Sequence, residues 1–376
     1  MVAITIGLAM LAGLATMFSN STTAYSEAEK TSRQIENGRY AIDMLSQDPR
    51  HAGYYGQFSG EIVAPAALPD PCETASAANL YDALVAPVQV YSPNNLTAAQ
   101  AVPGTCGNPR NFLTANDLAP GSDILVVRRT DTEALAAPPT LSDVYLQANP
   151  VEAEVQFGDP DGFSIGSLNA DNTVAVVGTK ASGKGVAATV LKKANVADAN
   201  PVDPSPRLAA DIRKYHTHIY FVAPCSVPKD GGAHCTGAAD DGGRPIPTLK
   251  RLELTAGAGG ATMTLVPLVE GVEKLQVDFG IDGQPNSVNP ATGRTGDGVA
   301  DGWVQAPTLL QLPDVVAARV HILARNTDPT NGYSDTKQYS LGLAGTTNAA
   351  NDAFKRHAYT LMVRLVNLAS RREIPQ

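Results

Sequence analysis

Three aspartates carry the clearest chemistry in the sequence. Asp282, Asp297 and Asp301 bracket the stretch DGQPNSVNPATGRTGDGVAD, which is dense in Gly, Asn and Pro. Calcium takes roughly six to eight oxygen ligands from carboxylates and carbonyls gathered by a Gly-bearing turn. The three carboxylates, with Asn286 or Asn289 and backbone carbonyls, could supply such a set, although the spacing is not that of an EF-hand. The plainer reading is a solvated Asp/Gly hairpin. His216 and His218 alternate onto one face of a strand-like run, which suits a pair of metal ligands. No third ligand lies near them in the sequence, so a wet strand face is the simpler expectation.

Two further stretches imitate catalytic motifs. Gly178-Thr179-Lys180-Ala181-Ser182-Gly183-Lys184-Gly185 follows the strand-like TVAVV and nearly spells a phosphate-binding loop. Gly185 stands where Ser or Thr must ligate magnesium, and no amphipathic helix follows to offer its amino terminus to phosphate. A Gly/Ser/Lys hairpin turn is the better reading, and no nucleotide is expected. Gly162-Phe163-Ser164-Ile165-Gly166 fits the G-x-S-x-G pattern, but a nucleophile elbow needs a strand before it and a helix after it. Here turn residues flank it on both sides, so a loop is expected. No His has a credible Ser or Cys partner in the sequence, so no catalytic residue is assigned.

The four cysteines, Cys72, Cys106, Cys225 and Cys235, form no C-x-x-C pair, which argues against a zinc ribbon or a thioredoxin-like site. An even count suits disulfides outside the cytoplasm. Order and spacing favour Cys72–Cys106 and Cys225–Cys235 among three connectivities. The formal charge is −9, with 17% charged residues. That balance argues against broad binding along a phosphate backbone, which needs a basic footprint. A local basic strip, and so nucleic acid, stays open.

The elements that must position these residues begin with MVAITIGLAMLAGLATMF, which has no charged side chain; the first is Glu27. The run is close to the length of a membrane-spanning helix, about 20 residues at about 1.5 Å each. Ile4, Ile6, Leu8, Leu11, Leu14 and Phe18 are its large apolar side chains. The polar continuation keeps a helical period, with Tyr25, Ala28, Ile35, Ile42 and Leu45 on one stripe, and Pro49 and Gly53 follow. One helix from Met1 to about Gln47 is expected, lying in lipid or a helical bundle by its first half and on a globular head by its second. Period-two alternation then predicts antiparallel strands over Lys274–Phe279, Val316–Arg325 and Leu361–Leu365, each with one wet face. Further strands are expected at Ile124–Arg129, Val174–Gly178, His218–Val222, Thr248–Leu254 and Met263–Leu268, separated by Pro/Gly/Asp-rich turns. No long helix is expected after Pro49.

The wording of two regions is more specific than their pattern. MVAITIGLAMLAGLATMFSNS, followed by QIENGRYAIDMLSQDPRHAGYYG, resembles the amino-terminal helix of type IV pilins, most closely of the minor pilin family PilW. Downstream, Cys225, Ile246-Pro247-Thr248-Leu249-Lys250-Arg251, Leu268-Val269-Glu270-Gly271-Val272-Glu273 and Phe279-Gly280-Ile281-Asp282 resemble that family's carboxy-terminal half. So do Phe354-Lys355-Arg356-His357 and the ending Arg371-Arg372-Glu373. The resemblance implies residues ahead of Met1, of the type Phe-Thr-Leu-Ile-Glu-Leu, and a basic leader before them, so Met1 reads as an internal methionine of the helix. Similar family members carry a compact, calcium-like Asp/Gly loop after Gly-Ile-Asp; here an insertion separates Asp282 from Asp297 and Asp301.

The resulting expectation is an α+β protein: a pilin-like long amino-terminal helix packed on a large, mainly antiparallel β head. The helix unit spans residues 1–53, with 1–18 as its membrane or bundle part. The head spans 54–376, with a variable region at about 58–211 and a family-like half at about 212–376. The resemblance implies a minor pilin acting in pilus assembly or initiation at the filament tip, supporting motility, adhesion or DNA uptake. Its partners would be other minor pilins and the major pilin, through the helix. It would sit in the inner membrane with a periplasmic head, then in the pilus. The alternatives are the large minor pseudopilin of a type II secretion system, or a membrane-anchored periplasmic binding module or enzyme.

Overall fold

In the computed structural model of the chain, the described residues are 2–60, 62–135, 140–158, 180–181, 187–188, 210–283 and 296–371. Helix α1 (Val2–Arg50) runs unbroken through the apolar stretch and its polar continuation. Its 49 residues span about 74 Å at about 1.5 Å each. Pro49 is tolerated in the last turn, and Gly53, at φ 71°, reverses the chain in a left-handed conformation that costs glycine little. Among the described residues two short α-helices follow, α2 (Ala77–Asp82) and α3 (Val366–Ala369).

The strands in chain order are β1 (Val88–Tyr91), β2 (Ile124–Thr130), β3 (Val144–Ala148), β4 (Ala153–Phe157), β5 (Lys180–Ala181), β6 (Ala187–Ala188), β7 (Ile212–Ala223), β8 (Thr248–Gly257), β9 (Gly260–Glu270), β10 (Val272–Ile281), β11 (Gly302–Val304), β12 (Val315–Arg325) and β13 (Arg356–Arg364). The first sheet runs β1-β2-β7-β3-β4, with β8 on the far half of β7 and β9 on β8. The second runs β11-β10-β12-β13, and β5 and β6 pair separately. The pairings described are antiparallel.

Two cores hold these layers together. In the first sheet, Leu125 and Val127 of β2 and Tyr220 and Val222 of β7 point into a core shared with α1 and the second sheet. That second sheet contributes Leu275, Val277, Phe279, Val320 and Ile322. The alternate residues Ile124, Val126, Ile219 and Phe221 face the opposite core, covered by Tyr55, Phe58, Leu80, Leu84 and Leu113 from the segment between α1 and β2. Strands buried on both faces read as continuous apolar runs, which is how the sequence spells ILVV and IYFV. The head is therefore a sheet-on-sheet sandwich with α1 along one side. A long helix, apolar in its first part, with a mainly antiparallel head is the α+β architecture that the sequence implies.

The wet faces expected on β10 and β12 are covered over part of their length. Gln276, Asp278 and His321 are buried. The segment around Leu341–Leu343 lies over them: the Leu343 N–H donates to Asp278 at 3.0 Å, and His321 bridges Asp278 at 3.2 Å and Thr360 at 2.9 Å. Gln276 donates to the Gly121 carbonyl. Polar side chains alternate there because they pair with loops that arrive from distant sequence, not because they meet water.

Candidate functional site: an exposed apolar helix on a polar seat

Among the described residues, the amino-terminal half of α1 touches nothing in the head. Ile4 is 67% exposed, Leu11 67% and Phe18 72%; Ile6, Leu8 and Leu14 are equally open. The helix is long and apolar enough to cross a membrane. Its few hydroxyls do not break that character. Thr5 donates to the Val2 carbonyl and Thr16 to the Gly13 carbonyl, so both are satisfied on the helix itself. An apolar cylinder of this size is unfavourable in water and favourable in lipid or against other apolar helices.

The carboxy-terminal half is seated on the head by a stripe that the apolar pattern did not predict. Tyr25, Ala28 and Ile35 are exposed, and Ile42 is half-buried; of the expected stripe only Leu45 is fully covered. The seated residues are Glu27, Thr31, Gln34, Gly38, Ala41, Leu45 and Asp48, at alternating spacings of three and four. Such spacing keeps one helix face on its partner. The face is polar and small because the head presents strand carbonyls and cations to it. Gln34 donates to the carbonyls of Ala324 and Lys355, both at 3.1 Å, and Asn37 to that of Glu270. At Gly38 the Tyr359 ring fills the place a Cβ would take, which brings β13 against the helix backbone.

Both ends of the seat are ionic. Glu27 pairs with Lys355 at 2.8 Å, accepts from Thr330 at 2.7 Å and pairs with Lys30 on its own helix. The Lys355 hydrogen bond, followed by those from Thr330 and Lys30, holds the Glu27 carboxyl down at about 2. At the other end Asp48 is buried and faces His218 Nδ1 at 2.7 Å, the Tyr220 hydroxyl at 2.9 Å and Arg129 Nε at 2.7 Å. Burial alone would raise that carboxyl; His218 and Arg129 outweigh burial and keep it well below the usual carboxylate range. Arg251 extends the network, donating to the Tyr220 hydroxyl and pairing with Glu253.

This places the histidine pair. His218 is buried under the end of α1, so the wet strand face expected for it is overturned. His216 bonds Asp131 at 2.8 Å, and burial, then the neighbouring His218, pushes its imidazole down. The rings are 5.5 Å apart and each answers to its own carboxylate, which gives the two different jobs. Asp48 and Asp131, 170 and 85 residues away, were missed. The only sequence signal for Asp48 was its position three residues after Leu45, on the seated stripe.

The remaining expected residues lie apart from this seat. Cys72–Cys106 is bonded with Cα atoms 5.1 Å apart, and Cys225–Cys235 with 5.9 Å. The first staples the segment covering the outer core, and the second closes a loop before β8. Asp282 accepts the Gly298 N–H, Asp297 the Val299 N–H and Asp301 the Gly283 N–H, so each clasps a turn of the β10–β11 connection. Asn286 and Asn289, the G-x-S-x-G stretch, strand Val174–Gly178 and most of the phosphate-loop imitation lie outside the described residues. Lys180 and Ala181 of that imitation form β5, paired in a hairpin with β6.

The structure is similar to a type IV-like pilin from Thermus thermophilus, at 15% identity and a TM-score of 0.20, over 41% of this chain and 79% of that one. No curated protein matches the sequence. Residues 236–367 match the family PilW, described as type IV pilus-assembly protein W, and the match covers β8 through β13, where Tyr359 and Lys355 receive the helix. The carboxy-terminal part of the head is thus similar to the PilW family over residues 236–367.

Proposed function

We propose that the chain is a minor pilin of a type IV pilus, acting in assembly or initiation at the filament tip. The observation that carries this reading is the division of α1: one half fully apolar and bare, the other fixed to a head similar in its carboxy-terminal part to the PilW family. The bare half sits in the inner membrane until assembly, with the head in the periplasm. Withdrawal into a filament replaces lipid by neighbouring helices, so the apolar surface stays out of water throughout. The partners are other minor pilins and the major pilin, through Ile4, Ile6, Leu8, Leu11, Leu14 and Phe18. The head is bulky, which favours the tip over the shaft, and the role is structural rather than catalytic.

The test is to locate the chain. Immunogold labelling of the head should decorate filament ends, and sheared filaments should contain the chain together with pilins of the same system. Labelling confined to the cell envelope, or recovery with secretion pseudopilins, would overturn the reading.

Calcium at Asp282, Asp297 and Asp301 belongs to this proposal as a stabiliser of the β10–β11 connection. A rise in melting temperature when calcium is added to chelator-treated protein, lost in D282N, supports it. An unchanged melting temperature removes it.

A further inference from the structure

The outer face of the second sheet is covered by the Leu341–Leu343 segment at one end and left open at the other. The cross-strand register builds the open end. Arg319 stands opposite Met362, Ala317 opposite Arg364, and Gly280 opposite both Ala317 and Trp303. Met362 is 64% exposed, and Leu343 borders the patch at 51%. An ideal Cβ on Gly280 would lie 2.6 Å from the Ala300 Cβ and 3.2 Å from the Trp303 ring, so the missing side chain makes the room that lets the indole lie close to β10.

Arg319 sits over that indole, its guanidinium carbon 3.6 Å from the ring centroid. Stacking holds the planar fork still without using its N–H groups. Among the described residues the Arg319 side chain makes no ion pair and no hydrogen bond, while Asp278, opposite it on β10, is turned to His321 and Leu343. A half-buried, immobilised guanidinium with unused donors is a ready site for a carboxylate, which it can bind through two parallel hydrogen bonds. Trp, Arg and Met are also the residues that dominate the centres of protein interfaces. The chain as a whole carries −9, so this half-buried cation stands out from its own background.

We propose that the Trp303–Arg319–Met362 face is a docking surface for an acidic segment of another protein, with a carboxylate on Arg319 and an apolar side chain on Trp303 and Met362. This surface lies on the head, away from the bare helix, and does not depend on the pilus reading.

Trp303 is the sole tryptophan of the chain, so its fluorescence reports on this place alone. The full chain in detergent micelles is titrated with a synthetic peptide alternating Glu and Leu, and with the matching Lys and Leu peptide. The acidic peptide should shift the Trp303 emission saturably. R319Q should weaken that binding about tenfold while lowering the melting temperature little, since the Arg319 side chain holds no ion pair and only its stacking on Trp303 is lost; R319K should lose most of the binding too, lacking the planar fork. Equal binding by R319Q, equal response to the Lys peptide, or no response to either peptide would each overturn the proposal. An emission shift with protein concentration alone would replace the acidic partner by a second copy of this chain, and so would overturn it as well.

Discussion

Asp48 shows how one residue joins two elements. Its carboxylate ends the helix seat and receives a cation from β2 and an imidazole and a phenol from β7. Removing it leaves the buried His218 without its carboxylate partner and the half-buried Arg129 with only the longer contact to Asp131. D48A should therefore destabilise the head by about 3 kcal/mol, the usual penalty for breaking a buried pair from one side, read as a fall in the urea midpoint. Replacing His218 by Gln should cost less, because Arg129 and Tyr220 still answer the carboxylate. Glu27 sets the other end and gives it a pH dependence. Its carboxyl titrates near 4.5 when unfolded and at about 2 in the fold. The stability it adds is complete above pH 4.5 and is lost as pH falls toward 2. E27Q should flatten that part of the acid-unfolding curve; an unchanged slope would mean that Glu27, Lys355 and Thr330 do not hold the helix in solution.

At the scale of elements, the close contact of α1 with β13 rests on Gly38. G38V would drive two methyl groups into the Tyr359 ring and should destabilise the chain by about 1–3 kcal/mol, as overpacking does, with the loss read in a thermal melt. The Cys225–Cys235 loop leads into β8, and replacing both cysteines by Ser should cost about 2–4 kcal/mol; an unchanged melting curve would contradict the bond's structural role. How much of this was legible follows from where each signal resides. The runs ILVV and IYFV announced β2 and β7, and alternation announced β10 and β12, because burial on a sheet face is written locally. Strands β1, β3, β4 and β11 are three to five residues long and carry too few alternations to be seen. The helix was legible, but its seated face was not. Gln34, Gly38 and Asp48 look like solvent residues until Ala324, Lys355, Tyr359 and His218 arrive beside them. The same is true of His321 and Asp278, which a distant loop covers. A polar residue's burial depends on its partner, and no local pattern records a partner some 290 residues away.

At the scale of the molecule, the structure has one part that cannot be at rest in water and one that can. The apolar half of α1 has its exposed side chains on all sides, so no rotation of the helix hides them. The seat fixes that half to the head through a polar and ionic face, which keeps the helix from folding back onto the sandwich it leaves. The central claim is that this bare half is the assembly surface, and it is tested by one charge. L11E puts a carboxylate in the middle of the apolar run, where it costs about 3 kcal/mol in a membrane, and it leaves the head untouched. The measurement is an immunoblot for the chain in sheared filaments, comparing wild type with L11E at equal cellular amounts and equal head melting temperature. The wild-type chain should appear in the filament fraction and the L11E chain should be missing from it. L11E chain present in filaments at the wild-type level would contradict the claim.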